Sequence, residues 1–367
     1  MLCYYRTLYE GIIFMKTILK WPGGKEKELP IIRKYSPIYS GRFIEPFVGG
    51  GAVFFDTHTE HCCINDKSTE LINLYTCVRE KNKELIKYLQ LEANEFNSLG
   101  YFVDEHTTEI LDLYLSKISI DEYINNYNEF FSSLAEGYTS IFLKELKKNL
   151  TNKIFRSAKL EKENGAISDK DRLDNIEASM KSAYYMYIRY LQNHLSELSK
   201  GRQAAVFFFI REFCYSSMFR YNAKGEFNVP YGGISYNRKD FQKKINYLFS
   251  NEMISKLANT DIHCEDFETF IENLNLTEDD FIFLDPPYDS DFSTYAQNEF
   301  GHEEQIRLCE CLKRTPAKIL LIIKNTDFIY DLYNNEHFNI TSFDKKYMVS
   351  FMNRNNKDVE HLVITNY

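Results

Sequence analysis

Apolar residues along this chain recur in patterns that predict two kinds of structure. Towards both ends of the chain, short continuous apolar runs alternate with segments of helical period, which is typical of parallel strands joined by helices. The C-terminal part predicts, in order, strands at Asp261–Glu265 and Phe281–Leu284, a helix at His302–Arg314, a strand at Ala317–Lys324, a helix at Asp327–Asn334 and a closing β pair at about Phe343–Phe351 and Glu360–Thr365. This alternation indicates a mostly parallel α/β sheet that is covered on both faces.

The N-terminal part shows the same alternation. An apolar stretch runs into Gly49-Gly50-Gly51, a second short strand ends at Asp66, and apolar residues then recur at helical spacing over Ser68–Leu91. The middle of the chain differs, because helical spacing dominates Asn94–Leu150 and Glu177–Glu197. These segments therefore predict a helical region inserted into an α/β domain.

Two further segments of the middle region complete this prediction. Lys159–Asp174 is charged and polar, which favours an exposed loop, and Phe207–Met218 is mostly apolar, which favours a buried helix. We expect residues 15–93 and 258–367 to form the α/β domain and residues 94–257 to form the helical insertion. Residues 1–14 are expected to be a tail, with Met15 as the natural start.

Charge and cysteine content restrict the class of protein. The 367 residues carry a net charge of −9, but Lys200–Thr260 holds ten Lys or Arg against four acids, so a local surface could face nucleic-acid phosphates. The cysteines lack zinc-finger spacing and favour buried reduced thiols in a cytoplasmic protein. The sequence has no long apolar run or signal peptide, so we expect no membrane association, and the spacing of its His, Cys and Asp residues suggests no metal site.

The strongest chemical signal is Asp285-Pro286-Pro287-Tyr288 at the end of a predicted buried strand. The carboxyl ends of parallel strands hold ligands in open α/β sheets. A carboxylate and a rigidly held prolyl carbonyl can accept both N–H groups of an exocyclic amine on a nucleobase, which frees the nitrogen lone pair. An aromatic ring beside them can stack on a base that has left the duplex. A plain turn at a strand end is the alternative for the motif alone.

Four other segments carry weaker signals, each with a structural alternative. The glycines at 49–51 allow close approach to a ligand or a tight βα turn, and Asp66 suits a ribose hydroxyl or a helix N-cap. Trp21, the only tryptophan, lies in the Pro/Gly loop Lys20–Lys25 and could be a loop anchor. The turn-rich segment Phe219–Gly233 mixes aromatic, amide and cationic residues, which suits base reading or an ordinary hairpin.

Taken together, these five segments resemble the Dam-type DNA adenine-N6 methyltransferases, the α group (D12 class) of the amino-methyltransferases. The segments match in type and in order, over roughly 16–91, 207–236 and 261–367. The resemblance implies a Rossmann-like, seven-stranded, mostly parallel sheet of the class I methyltransferase kind, with a helical target-recognition domain. It also implies S-adenosylmethionine as the cofactor and double-stranded DNA as the substrate of a protein that we expect to be monomeric.

The resemblance also assigns roles to residues. Catalysis is expected from Asp285, Pro286, Pro287 and Tyr288, and the segment Asp289–Phe300 is expected to close over the adenine as a loop. Cofactor binding is expected from Trp21, Lys25, Glu45, Phe47, Gly49, Gly51, Asp66, Asp266, Phe267 and Asp285. Among these, Asp266 could equally be a strand-end cap. DNA contacts are expected from Lys20, Tyr215, Met218, Arg220, Asn222, Lys224 and Pro230.

The implied activity is methyl transfer to N6 of adenine in a short duplex sequence, with GATC as the candidate, after the adenine flips out of the helix. The departure from the family pattern at Ser216–Phe219 leaves the sequence preference open. The protein would serve restriction-modification, solitary methylation or a phage, in a bacterial cytoplasm. The alternatives are an amino-methyltransferase for cytosine N4, RNA adenine or protein glutamine, and a catalytically silent DNA-binding regulator.

Overall fold

The computed structural model describes residues 15–287, 300–346 and 358–367, with backbone only for 344–346 and 358–359. The expected tail at residues 1–14, Tyr288 and the expected loop segment 289–299 lie outside the described residues. The chain folds as two compact units, residues 1–79 with 250–367 and residues 80–249.

In the first unit, the described residues form one seven-stranded sheet. Its strands are β1 (Phe43–Glu45), β2 (Cys62–Asn65), β3 (Thr260–His263), β4 (Phe281–Leu284), β5 (Lys318–Lys324), β6 (Asn339–Lys346) and β7 (Asp358–Thr365). The strand order is β3-β2-β1-β4-β5-β7-β6, and β7 is the one strand of this sheet whose direction opposes that of the other six. The central strands are apolar because both of their faces are buried. This sheet confirms the expected Rossmann-like class I fold.

The helices of both units follow one another in chain order. They are α1 (Leu29–Tyr35), α2 (Ala52–Asp56), α3 (Thr69–Arg79), α4 (Lys83–Glu105), α5 (Thr107–Tyr114), α6 (Ile120–Asn126), α7 (Asn128–Ser132), α8 (Thr139–Asn164), α9 (Asp169–Gln192), α10 (Lys200–Phe213), α11 (Phe241–Leu248), α12 (Asn251–Ala258), α13 (Phe267–Asn273), α14 (His302–Arg314) and α15 (Asp327–Tyr333). None of these helices is both long and apolar enough to cross a membrane.

The second unit is a helical bundle with an aromatic core. The ring of Phe96 on α4 lies 4.4 Å from that of Phe213 and 5.5 Å from that of Phe209, both on α10. Tyr184 on α9 joins the same cluster, and its hydroxyl donates to the Glu95 carboxylate at 2.6 Å. Burial of these rings orders the bundle, and the hydrogen bond satisfies a hydroxyl that would otherwise be costly to bury.

Two sequence expectations about segments of the middle region were wrong. The expected loop at Lys159–Asp174 is mostly helix, because α8 continues to Asn164 and α9 starts at Asp169. Its charges serve the pairing of these two helices, as Arg172 donates to Glu161 at 2.9 Å. The expected buried helix Phe207–Met218 ends at Phe213 and gives way to a 3₁₀ turn at Tyr215–Ser217.

The expected single helix over Ser68–Leu91 is in fact two helices. Lys81 adopts a positive φ of 48°, and Asn82 caps α4 by accepting from the N–H groups of Glu84 and Leu85 at 3.0 Å. The first boundary between the units therefore lies at 79/80, whereas the expected boundary at 93/94 falls inside α4. The second observed boundary lies at 249/250, before the N-cap Ser250 of α12, and not at 257/258.

Candidate active site and recognition hairpin

The strand order fixes where a ligand of the first unit would lie. From β1 the chain crosses to β2 on one side, while β4 pairs with β1 on the other side. Such a switch point leaves a crevice at the carboxyl ends of the two central strands. Glu45 ends β1, and Asp285 directly follows β4. The sheet thus brings the glycine motif and the Asp-Pro-Pro segment to the same edge.

A buried ion pair lies at this edge. The Lys25 ammonium contacts the Asp285 carboxylate and also donates to the Gly23 carbonyl oxygen at 3.0 Å. The Lys25 side chain is 3% exposed and that of Asp285 is 19% exposed, so the carboxylate retains access to solvent while the lysine does not. The loop that carries Trp21 is therefore tied to the end of β4.

Glu45 adds a second carboxyl group to the edge. It is buried, and desolvation raises its pKa well above the usual range, with a further rise caused by the negative charge of Asp285. A backbone N–H bond from Phe54 and the positive charge of Lys25 act in the opposite direction on this pKa. Burial thus favours the protonated form of Glu45, beside the Asp285 carboxylate that contacts Lys25.

Trp21 packs directly on the glycine loop. A Cβ atom at Gly49 would lie 2.8 Å from Trp21 Cδ1, and one at Gly50 would lie 2.8 Å from Trp21 Cβ. Gly49 and Gly51 also have φ values of +46° and +73°, which residues with side chains rarely adopt. The indole and the left-handed backbone together require glycine in this loop.

Asp66 holds the same loop from the other side. Its carboxylate accepts from the Gly49 N–H and from the Ser68 N–H, both at 2.9 Å. Loss of hydration raises the pKa of Asp66, and these N–H bonds oppose the rise. Ser68, rather than Asp66, caps α3 through the Leu71 N–H at 3.3 Å. Asp66 is thus part of the glycine loop as well as of the turn into the helix.

Asn65, which was not among the predicted site residues, links three strand ends. Its buried amide donates to the carbonyl oxygens of Pro46 and Glu265, each at 3.1 Å, and accepts from the Glu265 N–H at 2.8 Å. The carboxyl ends of β1, β2 and β3 are held together in this way. The signal available in the sequence was the polar residue Asn65 at the end of an otherwise apolar buried strand.

Aromatic rings lie beside the glycine motif. Phe47, Phe267 and Phe300 form a triangle with ring centroids 5.5–5.6 Å apart. Asp266 caps α13 through the Glu268 N–H at 3.1 Å and pairs with Arg307 at 2.8 Å, so the cap geometry is present at this position. Phe300 is buried in this triangle. It was expected to end the loop that closes over the adenine, and its burial instead makes it part of the packed core.

The Asp-Pro-Pro segment has a support that the sequence did not suggest. Gln305, fully buried in the first turn of α14, donates to the Pro287 carbonyl oxygen at 3.2 Å. Pro286 is itself buried, and Tyr288 lies outside the described residues. Gln305 stands in a polar helical turn without any distinguishing pattern, so no signal in the sequence could have found it.

In the second unit, Phe219–Gly233 forms the hairpin expected as one alternative. Tyr221 pairs with Phe227 across the strands, and the turn is closed by a bond from the Gly225 N–H to the Asn222 carbonyl oxygen at 2.9 Å. The Asn222 side chain accepts from the Lys224 and Glu226 N–H groups at 2.9 and 3.0 Å. Lys224 therefore stands exposed at the tip of a well-braced turn. We call Phe219–Gly233 the recognition hairpin.

Arg220 is held within the recognition hairpin. Its Nε donates to Asn228 Oδ1 at 2.8 Å and its Nη2 donates to the Asn228 carbonyl oxygen at 3.0 Å. The hairpin is fixed to the end of α9, because the Asn193 amide bonds both the N–H and the carbonyl of Phe227. Tyr185 donates its hydroxyl to the Val229 carbonyl oxygen at 2.9 Å, so the returning strand follows the helix.

The remaining predicted DNA contacts divide between the units. The exposed Tyr215 donates its backbone N–H to the Pro230 carbonyl oxygen at 2.9 Å, and the Met218 carbonyl oxygen accepts from Arg211 at 2.9 Å. Arg211 is almost fully buried beneath this turn. Lys20, in contrast, is an exposed residue of the first unit. Among the described residues, no cluster of side chains could hold a metal ion.

Comparison with known proteins gives the family. Residues 21–171 and 138–349 match the model of the D12 class N6 adenine-specific DNA methyltransferases. The chain is 29% identical to the Type II methyltransferase M.CviBI of Paramecium bursaria Chlorella virus NC1A, over 96% of this chain and all of that protein. It is 24% identical to the DNA adenine methylase of Haemophilus influenzae, over 88% of this chain and 84% of that protein.

A third relative covers the chain in a different way. The DNA N-6-adenine-methyltransferase of Escherichia phage P1 is 28% identical over 89% of this chain but only 32% of its own length. The family match spans both the sheet with its Asp-Pro-Pro edge and the helical unit with its hairpin. This chain belongs to the D12 class of N6 adenine-specific DNA methyltransferases.

Proposed function

We propose that the protein transfers a methyl group from S-adenosylmethionine to N6 of adenine within a short, specific duplex sequence, with GATC as the candidate. The observation that supports this assignment best is the position of Asp285. Its partly exposed carboxylate lies at the switch point, is contacted by Lys25 and is braced from below by the buried strand β4. A carboxylate so placed can act on a ligand without being part of the core.

The residues at this edge fit a nucleoside cofactor. Asp66 would bind ribose hydroxyls, and the left-handed backbone at Gly49 and Gly51 permits close approach. Phe47 and Phe267 supply the aromatic surface for an adenine ring, and Asp266 is a further acceptor beside them. Trp21, Lys25 and Glu45 would surround the methionine portion. The bound cofactor supplies an activated methyl group on a sulfonium sulfur.

The chain's own residues would then prepare the amine. The Asp285 carboxylate and the Pro286 carbonyl each accept one N–H of the exocyclic N6 group, which weakens conjugation of its lone pair with the ring. Gln305 fixes the adjoining Pro287 carbonyl and so limits movement of this segment. Because burial disfavours the charged form of Glu45, we assign Asp285 as the carboxylate that faces the amine. Most of the catalysis would come from positioning the amine in line with the methyl group.

Adenine N6 cannot reach such a site from within the base stack, so the adenine must leave the duplex. Stacking on Tyr288 and closure by the following segment stay predictions. Recognition of the sequence is assigned to the hairpin, where Arg220 would contact a guanine through its O6 and N7 atoms. Asn222, Lys224, Tyr215, Met218 and Pro230 are the other candidate contacts of this unit, and Lys20 is that of the first unit.

The biological setting is also a proposal. Relatives named as a Type II methyltransferase, a DNA adenine methylase and a phage methyltransferase support restriction-modification, solitary methylation or phage methylation as the candidate roles, in a bacterial cytoplasm. We expect a monomer. The helical unit, extended in this chain by α5–α9, would be the target-recognition domain.

Sequence specificity can be tested in cells. The chain is expressed in a host without its own adenine methylation, and the recovered plasmid is digested with nucleases that cut GATC either only when methylated or only when unmethylated. Conversion of GATC sites would support the candidate sequence. Methylated adenine at other sites, located by sequencing, would replace GATC with the sequence observed, while an absence of methylated adenine would contradict the proposed function.

A further inference from the structure

A large groove lies in the helical unit, beside the end of the recognition hairpin. Its volume is about 710 Å³, and its walls are the C-terminal half of α8, the N-terminal half of α9 and the end of the recognition hairpin from Pro230 to Gly233. Amide and hydroxyl side chains dominate the polar part of this lining, including Asn149, Asn152, Asn175 and Ser179. We call it the α8–α9 groove.

Two cations of α8, Lys153 and Arg156, line the groove. Lys153 donates to Asn175 Oδ1 at 3.1 Å, and Arg156 follows it by three residues, on the same side of the helix. Among the described residues, neither side chain forms an ion pair, and burial together with the charge of Arg156 lowers the pKa of Lys153. Adjacent like charges that no acid compensates destabilise a helix. This suggests that a bound anion neutralises the charges of Lys153 and Arg156 in the functional complex.

The acid in the groove does not cancel these charges. Glu161 is paired with Arg172 at 2.9 Å and accepts from the Tyr114 hydroxyl at 2.6 Å. The charged side chains that line the groove are thus the two cations Lys153 and Arg156 and the paired acid Glu161, an excess of one positive charge in a protein whose net charge is −9. Such a local charge favours a polyanion.

The groove is continuous with the recognition hairpin. The returning strand follows α9 from Asn193, which bonds Phe227, to the groove at Ser179, where Pro230 and Gly233 form the rim. These fourteen residues of helix span about 21 Å at 1.5 Å per residue. That length corresponds to about six base pairs at 3.4 Å each. A duplex read by the hairpin and lying along α9 would thus bring its flanking phosphates to Lys153 and Arg156.

We propose that the α8–α9 groove binds the sugar-phosphate backbone of duplex DNA about six base pairs beyond the sequence that the hairpin reads. Lys153 and Arg156 contact phosphates, and the neighbouring amides donate to phosphate or sugar oxygens. Away from its rim at Pro230, which is a candidate contact of the hairpin, the groove carries no sequence information, and it extends the footprint on one side of the site. This inference rests on the proposed function, and it gives a role to the helical segment that the family resemblance left unassigned.

The test compares two duplexes with the same methylation site. One has about 4 base pairs on each side of the site, too few to reach the groove, and the other has about 12. Binding is measured by fluorescence anisotropy at several salt concentrations for the wild type, for Lys153→Gln/Arg156→Gln, and for the matched control Lys147→Gln/Lys148→Gln. The control removes the same charge from the same helix, at lysines that pair with Asp121 and Glu145 outside the groove.

We expect the groove variant to bind the long duplex about tenfold more weakly than the control does, with a salt slope smaller by about two. On the short duplex, the two variants should bind alike. Neutral methylphosphonates placed about six base pairs from the site should weaken the wild type and have no effect on the groove variant. The wild-type arm of this second measurement does not depend on how well a variant folds.

Equal binding of the long duplex by both variants, or insensitivity of the wild type to the neutral phosphates, would overturn the groove assignment. Methylation of both duplexes by the wild type is measured in the same samples. A wild type that methylates the short duplex but gains nothing from the flanks contradicts the groove alone. A wild type that methylates neither duplex contradicts the proposed function.

Discussion

Lys25 and Asp285 form a buried ion pair between residues that are 260 positions apart in the sequence. The pair joins the N-terminal Trp21 loop to the end of β4, so the residue expected to orient the substrate amine also helps to close the fold. A substitution at Asp285 therefore has two consequences, and a lost activity alone would not separate them.

Asp285→Ala should abolish methyl transfer and also lower the free energy of unfolding by up to about 3 kcal/mol, because it removes the carboxylate that faces a buried ammonium. Adding Lys25→Met should restore much of that stability without restoring turnover. Denaturant unfolding and single-turnover methylation measure the two effects. Turnover of Asp285→Ala within tenfold of the wild type would contradict the assigned role of Asp285.

Asp66 should contribute to cofactor binding in two separable ways. Asp66→Asn keeps an oxygen that can accept from the Gly49 N–H but loses the charge, whereas Asp66→Ala loses both. A charge-assisted hydrogen bond is worth about 1.5–3 kcal/mol, so we expect the dissociation constant for S-adenosylmethionine to rise by about one to two orders of magnitude in Asp66→Asn and further in Asp66→Ala.

Trp21 provides the readout for that titration. It is the only tryptophan in the chain and packs on the glycine loop, so its fluorescence should respond to cofactor binding. If Asp66→Asn and Asp66→Ala both bind the cofactor with the wild-type dissociation constant, Asp66 has only a structural role in the glycine loop.

Much of the first unit could be predicted because the central strands β1, β2 and β4 are largely apolar and each ends in, or just before, an acid. The pattern predicted β4 and α14 with their observed bounds and brought Asp285, Asp66 and the glycines to one edge. The Lys25–Asp285 contact and the Gln305–Pro287 hydrogen bond could not be predicted, because no local pattern marks residues that only tertiary structure brings together. Asn65 had a local signal, since it is a polar residue at the end of an apolar strand, but its partners Pro46 and Glu265 could not be predicted.

The helical unit was harder to predict for a related reason. Helix ends there depend on single residues such as Lys81, with its positive φ, and on the pairing of Arg172 with Glu161 across two helices. The sequence of a charged segment such as Lys159–Asp174 predicts a loop, because it does not show which residues its charges pair with. In the structure those ion pairs stabilise it as helix. The hairpin was expected, but the clamp of Arg220 by Asn228 was not.

Arg220 and Lys224 allow a matched comparison within one hairpin. Arg220→Ala should relax preference at one base pair and retain it at the others, because a base-edge contact carries sequence information. Lys224→Ala, at the exposed tip, should weaken all sequences alike and make the salt dependence shallower. Methylation of the wild-type target sequence and its single-base variants at fixed salt measures both.

Loss of the Asn228 clamp is the control for Arg220. Asn228→Ala removes one acceptor of the guanidinium but keeps the guanidinium itself, so the preference at the same base pair should be weakened less than in Arg220→Ala. Uniform weakening in Arg220→Ala would assign Arg220 to phosphate or to hairpin structure.

Asp280 should stabilise the opposite end of β4 in a pH-dependent way. Burial alone would raise the pKa of its carboxyl group, but hydrogen bonds from Arg42 and from the Thr277 N–H outweigh burial and lower the pKa to about 2. The usual value for an aspartate is about 3.9. A lowered pKa contributes stability above about pH 4, and that contribution is lost as the pH falls towards 2.

Asp280→Asn should therefore lower the free energy of unfolding by about 2 kcal/mol at pH 7. The difference from the wild type should shrink between about pH 4 and pH 2. Urea unfolding at pH 7, 5, 4 and 3 measures it, and cofactor affinity should not change. A difference that stays constant down to pH 3 would mean that the Arg42 pairing does not shift this pKa.

The identity of the methylated nucleoside is the sharpest test of the assignment to adenine N6. The wild type and Asp285→Ala are incubated with S-adenosylmethionine carrying an isotope-labelled methyl group and with plasmid duplex DNA, and the DNA is digested to nucleosides for mass spectrometry. We expect label in N6-methyldeoxyadenosine for the wild type and none above background for the variant. Label in N4-methyldeoxycytidine, or no labelled nucleoside from a wild type that binds the cofactor, would contradict the assignment.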